Sequence, residues 1–582
     1  MDTSKKSWYK MNPVIIILSL FITWFIFAFL VLPNINIIYD TFFGSGVFSL
    51  EPIQKLLNSE RAVRSMLNSI LLAVILTFTV NIVGISLVLL TNYFDIKGSG
   101  ILKISYFSTL VYSGVALNLG YKLVYGENSP LTKGLMQINS NLDESWFTGL
   151  FAVAFVMTFA CTSNHMLFLS SAMRNVDYQT IEAARNLGAS QLTILKNVVF
   201  PTLKPTLFAL TILIFLTGLS ATSAPLVFGG REFETITPMI LTFAKSNSSK
   251  GLATVLALIL GIVTIIVLSF MLRSERKGNY MSISKTKTNI VKQKINNKLG
   301  NVLVHIAAYV LFIIYSLPVL AIIIYSFTDS LAISSGSITL NSFTFTNYQN
   351  VFSSIEAISP YIISISYGFA GASLVVAFCL LCAYLMKKYN NGLTKTLDYA
   401  LMIPWFLPST LIAVGLTVTF NTSQWIVLNK VFTGTFWLLL IGYVIVHIPF
   451  TLRISKSTFF GISQEIEEAA KNLGASAFYT FIKVLLPIIL PSVLGVFSLN
   501  FIGILPDYDL TVFLYHPLYE PLGITIMNAT KNSVASDTKA LNLVYTVILM
   551  ILNTIILTAV YGNLRLKRRK GGKLGSAKNS NL

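Results

Sequence analysis

The chain has 582 residues, of which 54% are hydrophobic and only 11% are charged, and its mean hydropathy is +0.72. Soluble domains carry about 25% charged residues, so this composition excludes an ordinary soluble protein and a disordered one. The formal net charge is +19, from 42 Lys and Arg against 23 Asp and Glu. In so apolar a chain this excess is typical of basic loops beside membrane spans and does not require nucleic-acid binding.

Twelve segments are apolar over about the 20 residues that a membrane span needs. In chain order they are 14–32, 66–90, 103–120, 148–170, 205–228, 252–272, 301–327, 361–386, 398–420, 434–452, 491–513 and 542–562. The sequence therefore predicts an all-α integral membrane protein with twelve transmembrane helices. The apolar run of the first span is too long for a secretory signal and no small-residue cleavage site follows, so we expect an uncleaved anchor.

The distribution of basic residues predicts the orientation of these spans. If the N-terminus lies in the cytoplasm and the spans alternate, cytoplasmic segments hold 31 Lys and Arg and outer segments hold 11. The positive-inside rule then places both termini in the cytoplasm and the protein in the cell membrane, as a multi-pass protein in contact with the lipid bilayer.

An internal repeat divides the chain into two similar parts. EAARNLGAS at 182–190 recurs as EAAKNLGAS at 468–476, with eight of nine residues identical at an offset of 286. Such self-similarity predicts a duplicated unit, with halves at 1–272 and 301–562. A basic linker (273–300) joins them and a basic tail (563–582) follows. Either basic segment could bind anionic lipid, although a solvated flank that sets the topology explains both.

Each repeat lies in a polar loop, 177–200 in the first half and 463–486 in the second, with the pattern of a helix–turn–helix. Asp177 and Ser463 are suitable N-caps for the first helix of each loop. Gly188 and Gly474 stand where a residue with positive φ ends that helix. The second helices, capped by Ser190 and Ser476, are predicted to run to Pro201 and Pro487.

One face of each loop helix is predicted to be a small apolar ridge. Ala183 and Leu187 are four residues apart, as are Ala469 and Leu473, and this spacing places each pair on one face. Small residues at such a ridge allow another backbone or a groove to approach closely. A loop that merely packs on its own bundle is the alternative, but two matching loops favour a shared function.

The repeated pattern E-A-A-x3-G followed by a hydrophobic-x-hydrophobic-Pro sequence resembles the coupling loop of permease subunits of binding-protein-dependent ABC importers. The matching residues are Glu182, Ala183, Ala184, Leu187, Gly188, Val198, Phe200 and Pro201, and again Glu468, Ala469, Ala470, Leu473, Gly474, Val484, Leu486 and Pro487. The resemblance implies a type I importer permease fold. It also implies two ATP-binding subunits that seat these helices on the cytoplasmic side, and an extracytoplasmic substrate-binding protein.

Nothing in the chain matches a nucleotide-binding loop, since GGKLGS (571–576) has the wrong spacing for the phosphate-binding motif. The chain is therefore expected not to be an enzyme and to bind no cofactor, with ATP and Mg²⁺ on the partner subunit. An ion-gradient-driven secondary transporter is the alternative from another class. The parallel duplication and the few intramembrane carboxylates argue against it. A scaffold or receptor without transport is a third possibility, which the duplicated loop disfavours.

The polar stretch LPDYDLTVFLYHP (505–517) is a candidate substrate path. It contains Asp507, Tyr508, Asp509, Tyr515 and His516, and the equivalent first-half stretch, 221–230, contains no carboxylate. A carboxylate at membrane depth is costly and is therefore a candidate for function. The alternative places these residues at the membrane interface, where Tyr belongs to an aromatic belt. No stable metal site is expected, because a conduit must release its cargo.

Several other polar or helix-bending residues have structural interpretations. Cys379 and Cys382 match C-x-x-C inside an apolar span and favour helix packing over metal binding. His165 and His447 favour interhelical hydrogen bonds over a proton or substrate role. Three prolines, Pro404, Pro408 and Pro506, are expected to break or bend their helices.

The resemblance also limits the range of candidate substrates. Fused twelve-span permeases with a loop in each half resemble the ferric-iron importers of this class, and similar ones serve thiamine, phosphonates or polyamines. The carboxylates at 507 and 509 favour a cation, with ferric iron preferred.

Overall fold

The computed structural model describes residues 13–44, 46–111, 114–174, 176–246, 249–277, 292–295, 297–389, 391–530 and 535–562. Within these ranges the chain is helical and its extended pairing is limited to three isolated bridges. The predicted tail and most of the predicted linker lie outside the described residues.

Among the described residues, ten helices are long and apolar enough to cross a membrane, and two bent helix pairs meet the same criterion as single spans. The first half contains α1 (Ile16–Phe43), α2 (Glu60–Tyr93), the pair α3a (Ser99–Thr109) and α3b (Gly114–Ile138), α4 (Gly149–Met173), α5 (Gln191–Leu219) and α6 (Lys250–Phe270). The second half contains α7 (Lys298–Ser326), α8 (Ile355–Tyr389), the pair α9a (Gly392–Phe406) and α9b (Ser409–Phe420), α10 (Phe436–Phe460), α11 (Phe481–Ile504) and α12 (Ser536–Val560). The predicted all-α membrane fold with two six-helix halves is confirmed.

Shorter helices fill the connections between these spans. Two of them, Tyr178–Asn186 and Gln464–Asn472, precede α5 and α11, and we call them the loop helices. The others are Glu51–Leu57, Ser223–Phe228, Ile236–Ala244, Ser330–Ser335, Thr346–Ser353, Thr511–Leu514 and Leu522–Ala529, while Ala477–Thr480 runs directly into α11. We call the end of the bundle that carries the loop helices the loop end.

The spans α5 and α11 differ from their predicted positions, 205–228 and 491–513. Each begins earlier, and each ends about nine residues before the predicted limit, at Leu219 and Ile504. The loop segment after Ser190 does not stop at Pro201 as predicted but continues into α5 as one helix, and the same holds at Pro487 in α11.

A π-helical turn explains how both helices accommodate the proline. The turns are Leu195–Val199 and Phe481–Leu485, at equivalent positions of the two halves, and each ends two residues before the proline. Proline lacks the N–H that a continuous α-helix would use and clashes with the preceding turn. A π-turn shifts the hydrogen-bond register there, so the helix bends and continues instead of ending.

The other predicted proline breaks are partly confirmed. Pro408 stands at the junction of α9a and α9b, which meet at 104°, because a residue before proline disfavours helical angles. Pro506 follows the end of α11, but Pro404 lies inside α9a without ending it.

The first span of each half packs against the other half. Phe29 of α1 lies in the hydrophobic core of the second half, and the indole Nε1 of Trp24 donates to the Ile426 carbonyl at 3.1 Å. In the reciprocal contact, the Tyr106 hydroxyl of α3a donates to the Ala308 carbonyl of α7 at 2.6 Å. The two halves therefore exchange their first helices.

The buried polar residues of the spans serve helix packing. His165 Nε2 of α4 lies 3.0 Å from Asn81 Oδ1 of α2, which confirms the predicted interhelical hydrogen bond. A Cβ at Gly84 would lie 2.4 Å from the His165 ring, so α2 approaches α4 at a glycine. Cys379 and Cys382 are buried in the α8–α10 core, as the packing interpretation predicts.

Candidate functional site

The first loop helix, Tyr178–Asn186, has the predicted caps. The Asp177 carboxylate accepts from the Gln179 N–H at 3.0 Å and begins the helix. Gly188 has φ +81°, and the Ala189 N–H reaches back to the Ala184 carbonyl at 3.0 Å, which closes the C-terminus. Ser190 then accepts from the Thr193 N–H at 3.2 Å and begins the helix that becomes α5.

The second loop helix, Gln464–Asn472, repeats this geometry. Ser463 Oγ accepts from the Glu465 N–H at 3.3 Å, and Ser476 Oγ accepts from the Tyr479 N–H at 3.2 Å. Gly474 has the same φ of +81° as Gly188. The two loops are therefore two copies of one local structure.

An apolar side chain is exposed to solvent at the tip of each loop. Leu187 and Leu473 are both 89% exposed, although they are among the most hydrophobic side chains of their segments. The predicted ridge residues Ala183 and Ala469 are exposed as well, as are Glu182, Glu468, Gly188 and Gly474. Each loop thus presents a leucine and an alanine beside a carboxylate, a surface suited to an apolar groove with a basic rim.

The opposite side of each loop helix packs on the bundle. In the first loop, Ile181 is fully buried in the first-half core and Ala184 packs partly against it. In the second loop Ala470 is buried. Of the two EAA alanines, the first therefore faces outward and the second faces the bundle.

A short piece of the predicted linker holds the first loop. The Gln293 N–H donates to the Tyr93 carbonyl at 2.8 Å, and the Asp95 N–H donates to the Gln293 carbonyl at 3.0 Å. The Gln293 side chain accepts from the Arg185 guanidinium. Residues 292–295 thus connect the end of α2 with the first loop helix.

The second loop is held by an ion pair instead. Lys387 Nζ at the end of α8 lies 2.6 Å from Glu467 Oε1, and both side chains are mostly shielded from solvent. Lys387 Nζ also approaches the Ile462 carbonyl at 3.4 Å. The two loops therefore present the same surface but are attached to the bundle by different contacts.

A tyrosine forms a hydrogen bond with the glutamate of the first EAA sequence. The hydrogen bond of Tyr178 with the Glu182 carboxylate raises the pKa of the Tyr178 phenol, and the nearby Arg185 opposes the shift. Glu182 is thereby oriented along the helix while its carboxylate stays at the surface.

The residues Asp507, Tyr508 and Asp509 lie in the short turn segment between α11 and the helix Thr511–Leu514. Asp507 Oδ2 accepts from the Thr511 N–H at 3.1 Å and from the Thr511 hydroxyl at 2.7 Å. A Cβ at Gly523 would lie 2.2 Å from the Asp507 carbonyl oxygen, so another segment crosses the turn at a glycine. Asp507 therefore has a structural role in shaping this turn, which we call the acidic turn.

Asp509 lies where the two halves meet. Its carboxylate stands beside the hydroxyl of Thr222 in the first half. The offset of 286 maps Thr222 onto Tyr508 and Ser223 onto Asp509. Thr222 and Asp509 are therefore one residue away from equivalent positions. Corresponding segments of two related halves meet only near the axis that relates them, so Asp509 lies close to that axis.

The other two residues of the predicted path lie further along the loop. Tyr515 is partly buried and packs against two hydrophobic clusters, both of which contain residues of the two halves. His516 Nδ1 accepts from the Leu518 N–H at 3.0 Å, and its ring stacks obliquely near Tyr519 at 5.2 Å between centroids. His516 is thus engaged by its own loop. Among the described residues, no three His, Cys, Asp or Glu side chains cluster as metal ligands would.

Sequence reasoning missed three residues that shape these sites, Gln293, Lys387 and Thr222. Gln293 and Lys387 contact the loops over long sequence separations, and no local pattern marks them. Thr222 carried a usable signal, because the repeat offset places it opposite Tyr508.

Known proteins are similar to this chain in sequence. The family model for the inner membrane component of binding-protein-dependent transport systems matches residues 376–569. A probable ABC transporter permease protein of Sinorhizobium fredii is 36% identical over 91% of this chain and 93% of its own length. The ferric transport system permease protein FbpB of Actinobacillus pleuropneumoniae is 24% identical over 84% of this chain and 70% of its own length.

A shorter relative aligns with only part of this chain. The putative 2-aminoethylphosphonate transport system permease protein PhnV of Salmonella paratyphi A is 28% identical over 44% of this chain but 92% of its own length. A relative of about half the size thus aligns almost entirely with part of this chain. The chain belongs to the ABC transporter permease family, as a fused double permease of the binding-protein-dependent type.

Proposed function

We propose that this permease forms the complete translocation path of an ATP-driven importer and that two ATP-binding subunits drive it, one on each loop helix. The observation that carries the proposal is the pair Leu187 and Leu473, each 89% exposed at the tip of its loop. Burying a leucine in a partner is worth about 1.5–3 kcal/mol. Two closely similar surfaces in one chain fit two copies of one partner.

In this proposal ATP and Mg²⁺ bind to the partner, and this chain contributes only the mechanical coupling. The coupling runs through the helix that continues from each loop into α5 or α11, because one helix includes both part of the loop and a membrane span. A displacement of the loop therefore reaches the membrane span directly.

The proposed orientation places the loop end in the cytoplasm, with both termini on that side of the cell membrane. The excess of 31 basic residues over 11 supports it. The proposed domains are two permease halves (1–272 and 301–562) joined by the basic linker (273–300). An extracytoplasmic binding protein would deliver substrate at the opposite end.

The proposed path passes the acidic turn at the axis between the halves. Asp509 has a first-half neighbour, Thr222, and Tyr508 adds a phenol nearby. Carboxylate, phenol and hydroxyl oxygens suit a hard cation. Tyr515 and His516, further along the loop, would line the path only at its outer end.

Ferric iron is the substrate that this proposal favours. The ferric permease FbpB aligns across both halves, and oxygen donors at the axis suit that ion. A phosphonate is the second candidate, supported by the resemblance to PhnV. Thiamine and polyamines, which are cationic, would also suit the carboxylates.

The coupling is tested by capturing the ATP-binding subunit of the same transport system with the tagged full-length chain. The variant L187D/L473D is expected to weaken capture at least about tenfold, since each change removes a buried leucine contact. Either single variant should retain one subunit instead of two. Leu340, 91% exposed in the α7–α8 connection away from the loop helices, supplies the matched control L340D. Undiminished capture by the double variant would contradict the proposal.

A further inference from the structure

We propose that the second half binds an anionic phospholipid at the loop end, in a groove between α9a and α10. Part of this groove is a cleft with a volume of about 400 Å³. Its polar lining consists of Thr394, Lys395 and Asp398 from α9a and of Lys456 and Ser457 from α10. We call it the α9a–α10 groove.

One face of α10 is exposed along this groove and contains an arginine. Phe450, Arg453, Ser457 and Phe460 follow one another at intervals of three or four residues, so they lie on one face of the helix. All four side chains are exposed, the two phenylalanines by 39% and 55%. Because Ser457 and Phe460 line the cleft, Arg453 lies one helical turn deeper on the same side.

Arg453 lies at membrane depth. The helix α10 has 25 residues and is therefore about 37 Å long, a little longer than the hydrocarbon layer of about 30 Å. Arg453 precedes Phe460, the last residue of α10, by seven residues, which corresponds to about 10 Å. A cation at that depth is costly unless its side chain reaches the headgroup region or an anion.

The contacts of Arg453 leave it able to bind an anion. Its guanidinium carbon lies 5.7 Å from the centre of the Trp405 ring on α9a, a cation–π contact that orients the group. Within the part of the chain that the structure describes, the ion pairs include neither Arg453 nor Lys395. A guanidinium that stacks on an aromatic ring can still donate two N–H groups to the oxygens of one phosphate.

The charges of the groove favour an anionic ligand. Lys456 Nζ lies 2.5 Å from Asp398 Oδ2, so this cation is neutralised within the protein. The other two cations, Lys395 and Arg453, have no such carboxylate among the residues that line the cleft. The groove therefore has an excess of two positive charges, which a lipid phosphate would complement.

Exposed aromatic side chains beside these cations indicate that the anion belongs to a lipid. Tyr399 of α9a is 75% exposed, and Phe450 and Phe460 flank Arg453 on α10. All three lie on helices that are apolar enough to span a membrane, and aromatic residues on such helices lie at the level of the lipid headgroups. One molecule with an anionic phosphodiester and acyl chains fits both the cations and the apolar face.

The first half has a different residue at the position of the arginine. The offset of 286 maps Arg453 onto Leu167 of α4, so the predicted lipid contact belongs to the second half. Phe460 stands three residues before Ser463, which caps the second loop helix. A lipid on this face would contact the segment that connects α10 to that loop. This inference does not depend on the substrate or on the ATP-binding partner.

The test is native mass spectrometry of the detergent-purified full chain with phosphatidylglycerol or phosphatidylcholine. The wild type is expected to retain phosphatidylglycerol preferentially, and R453L and K395Q each to weaken its retention about fivefold, the effect of one basic group near an anionic surface. R453L gives α10 the residue that α4 has at the equivalent position, so the variant should fold. The control is R64Q, because Arg64 is an exposed arginine near the opposite end of α2, and it should leave retention unchanged.

A second measurement does not depend on the folding of a variant. Cryo-electron microscopy of the wild type in phosphatidylglycerol nanodiscs should show a lipid phosphate beside the Arg453 guanidinium. Equal retention of both lipids, wild-type retention by K395Q/R453L, or an α9a–α10 groove without lipid in nanodiscs would overturn the proposal. Displacement of phosphatidylglycerol by millimolar inorganic phosphate would assign the cations to a soluble anion and also overturn it.

Discussion

Gly188 and Gly474 show how single residues determine the shape of the loops. Both have φ +81°, and a Cβ at either position would meet no atom within 4 Å. The requirement for glycine is therefore conformational, since other residues pay roughly 1–2 kcal/mol for left-handed angles. A substitution of either glycine would therefore destabilise the C-terminal turn of its loop helix and leave the packing of the bundle unchanged.

We expect G188A/G474A to loosen both loop helices at their C-terminal ends. Hydrogen–deuterium exchange at Leu187 and Leu473 should rise by about tenfold, the factor that corresponds to ~1.4 kcal/mol, and capture of the ATP-binding subunit should weaken. Gly392 supplies the control G392A, because it lies near the loop end with open space and no positive φ. Unchanged exchange in the double variant would show that the turn does not need glycine.

A second prediction about a single residue concerns Asp509 and the uptake of substrate. If its carboxylate lies on the path of a cation, D509N should reduce uptake of ferric iron by about tenfold, equivalent to ~1.4 kcal/mol of lost attraction. E144Q is the control, since Glu144 is exposed in the α3–α4 connection. If D509N took up iron at the wild-type rate in reconstituted vesicles, Asp509 would not lie on the substrate path.

At the scale of elements, the two loop helices share a surface but differ in their attachment. The first depends on Gln293 and the second on the Lys387–Glu467 ion pair. A hydrogen bond contributes about 0.5–1.5 kcal/mol net, and more when one partner is charged. The two helices should therefore respond separately to changes in their supports.

We expect Q293A to raise amide exchange in the first loop helix about fivefold, which corresponds to the loss of ~1 kcal/mol. The second loop helix, in the same molecule, is the internal control and should be unaffected. K387M should instead raise amide exchange in the second loop helix and leave the first loop helix unaffected. Equal changes in both helices after either substitution would mean that the supports act on the whole bundle.

The elements also show what could be predicted from the sequence. The caps Asp177, Gly188 and Ser190 were predictable because they act within a few residues of their own helix. The π-turn before Pro201 was not, since it depends on a helix continuing through a proline that ordinarily ends one. The docking of Gln293 and the neighbourhood of Asp509 and Thr222 arise from contacts across long separations, which no local pattern records.

At the scale of the whole molecule, the exchange of first helices ties the two halves together. α7 contacts the first half through the Tyr106–Ala308 hydrogen bond and through Ser105 and Ser316, whose oxygens are 2.8 Å apart. α1 contacts the second half through Trp24 and Ile426. Close packing and interhelical hydrogen bonds stabilise such contacts in lipid. The covalent linker is then not needed to keep the halves associated.

We therefore expect the halves to stay together when the chain is cut between them. A protease site inserted after Lys285, in the linker and away from residues 292–295, allows cleavage of the folded, detergent-solubilised protein. Affinity purification through a tag on the first half should recover the second half in equal amount. Loss of the second half after cleavage would show that the linker holds the halves together, and uncleaved protein is the reference for recovery.

The central claim is that ATP-binding subunits drive this permease through its two loop helices. ATP-dependent uptake into proteoliposomes that contain the permease, its ATP-binding subunit and its binding protein, with no ion gradient, tests it most directly. We predict uptake by the wild type that requires ATP, and its loss in L187D/L473D but not in L340D. Uptake that needs an ion gradient instead of ATP, or full ATP-driven uptake by L187D/L473D, would contradict the claim.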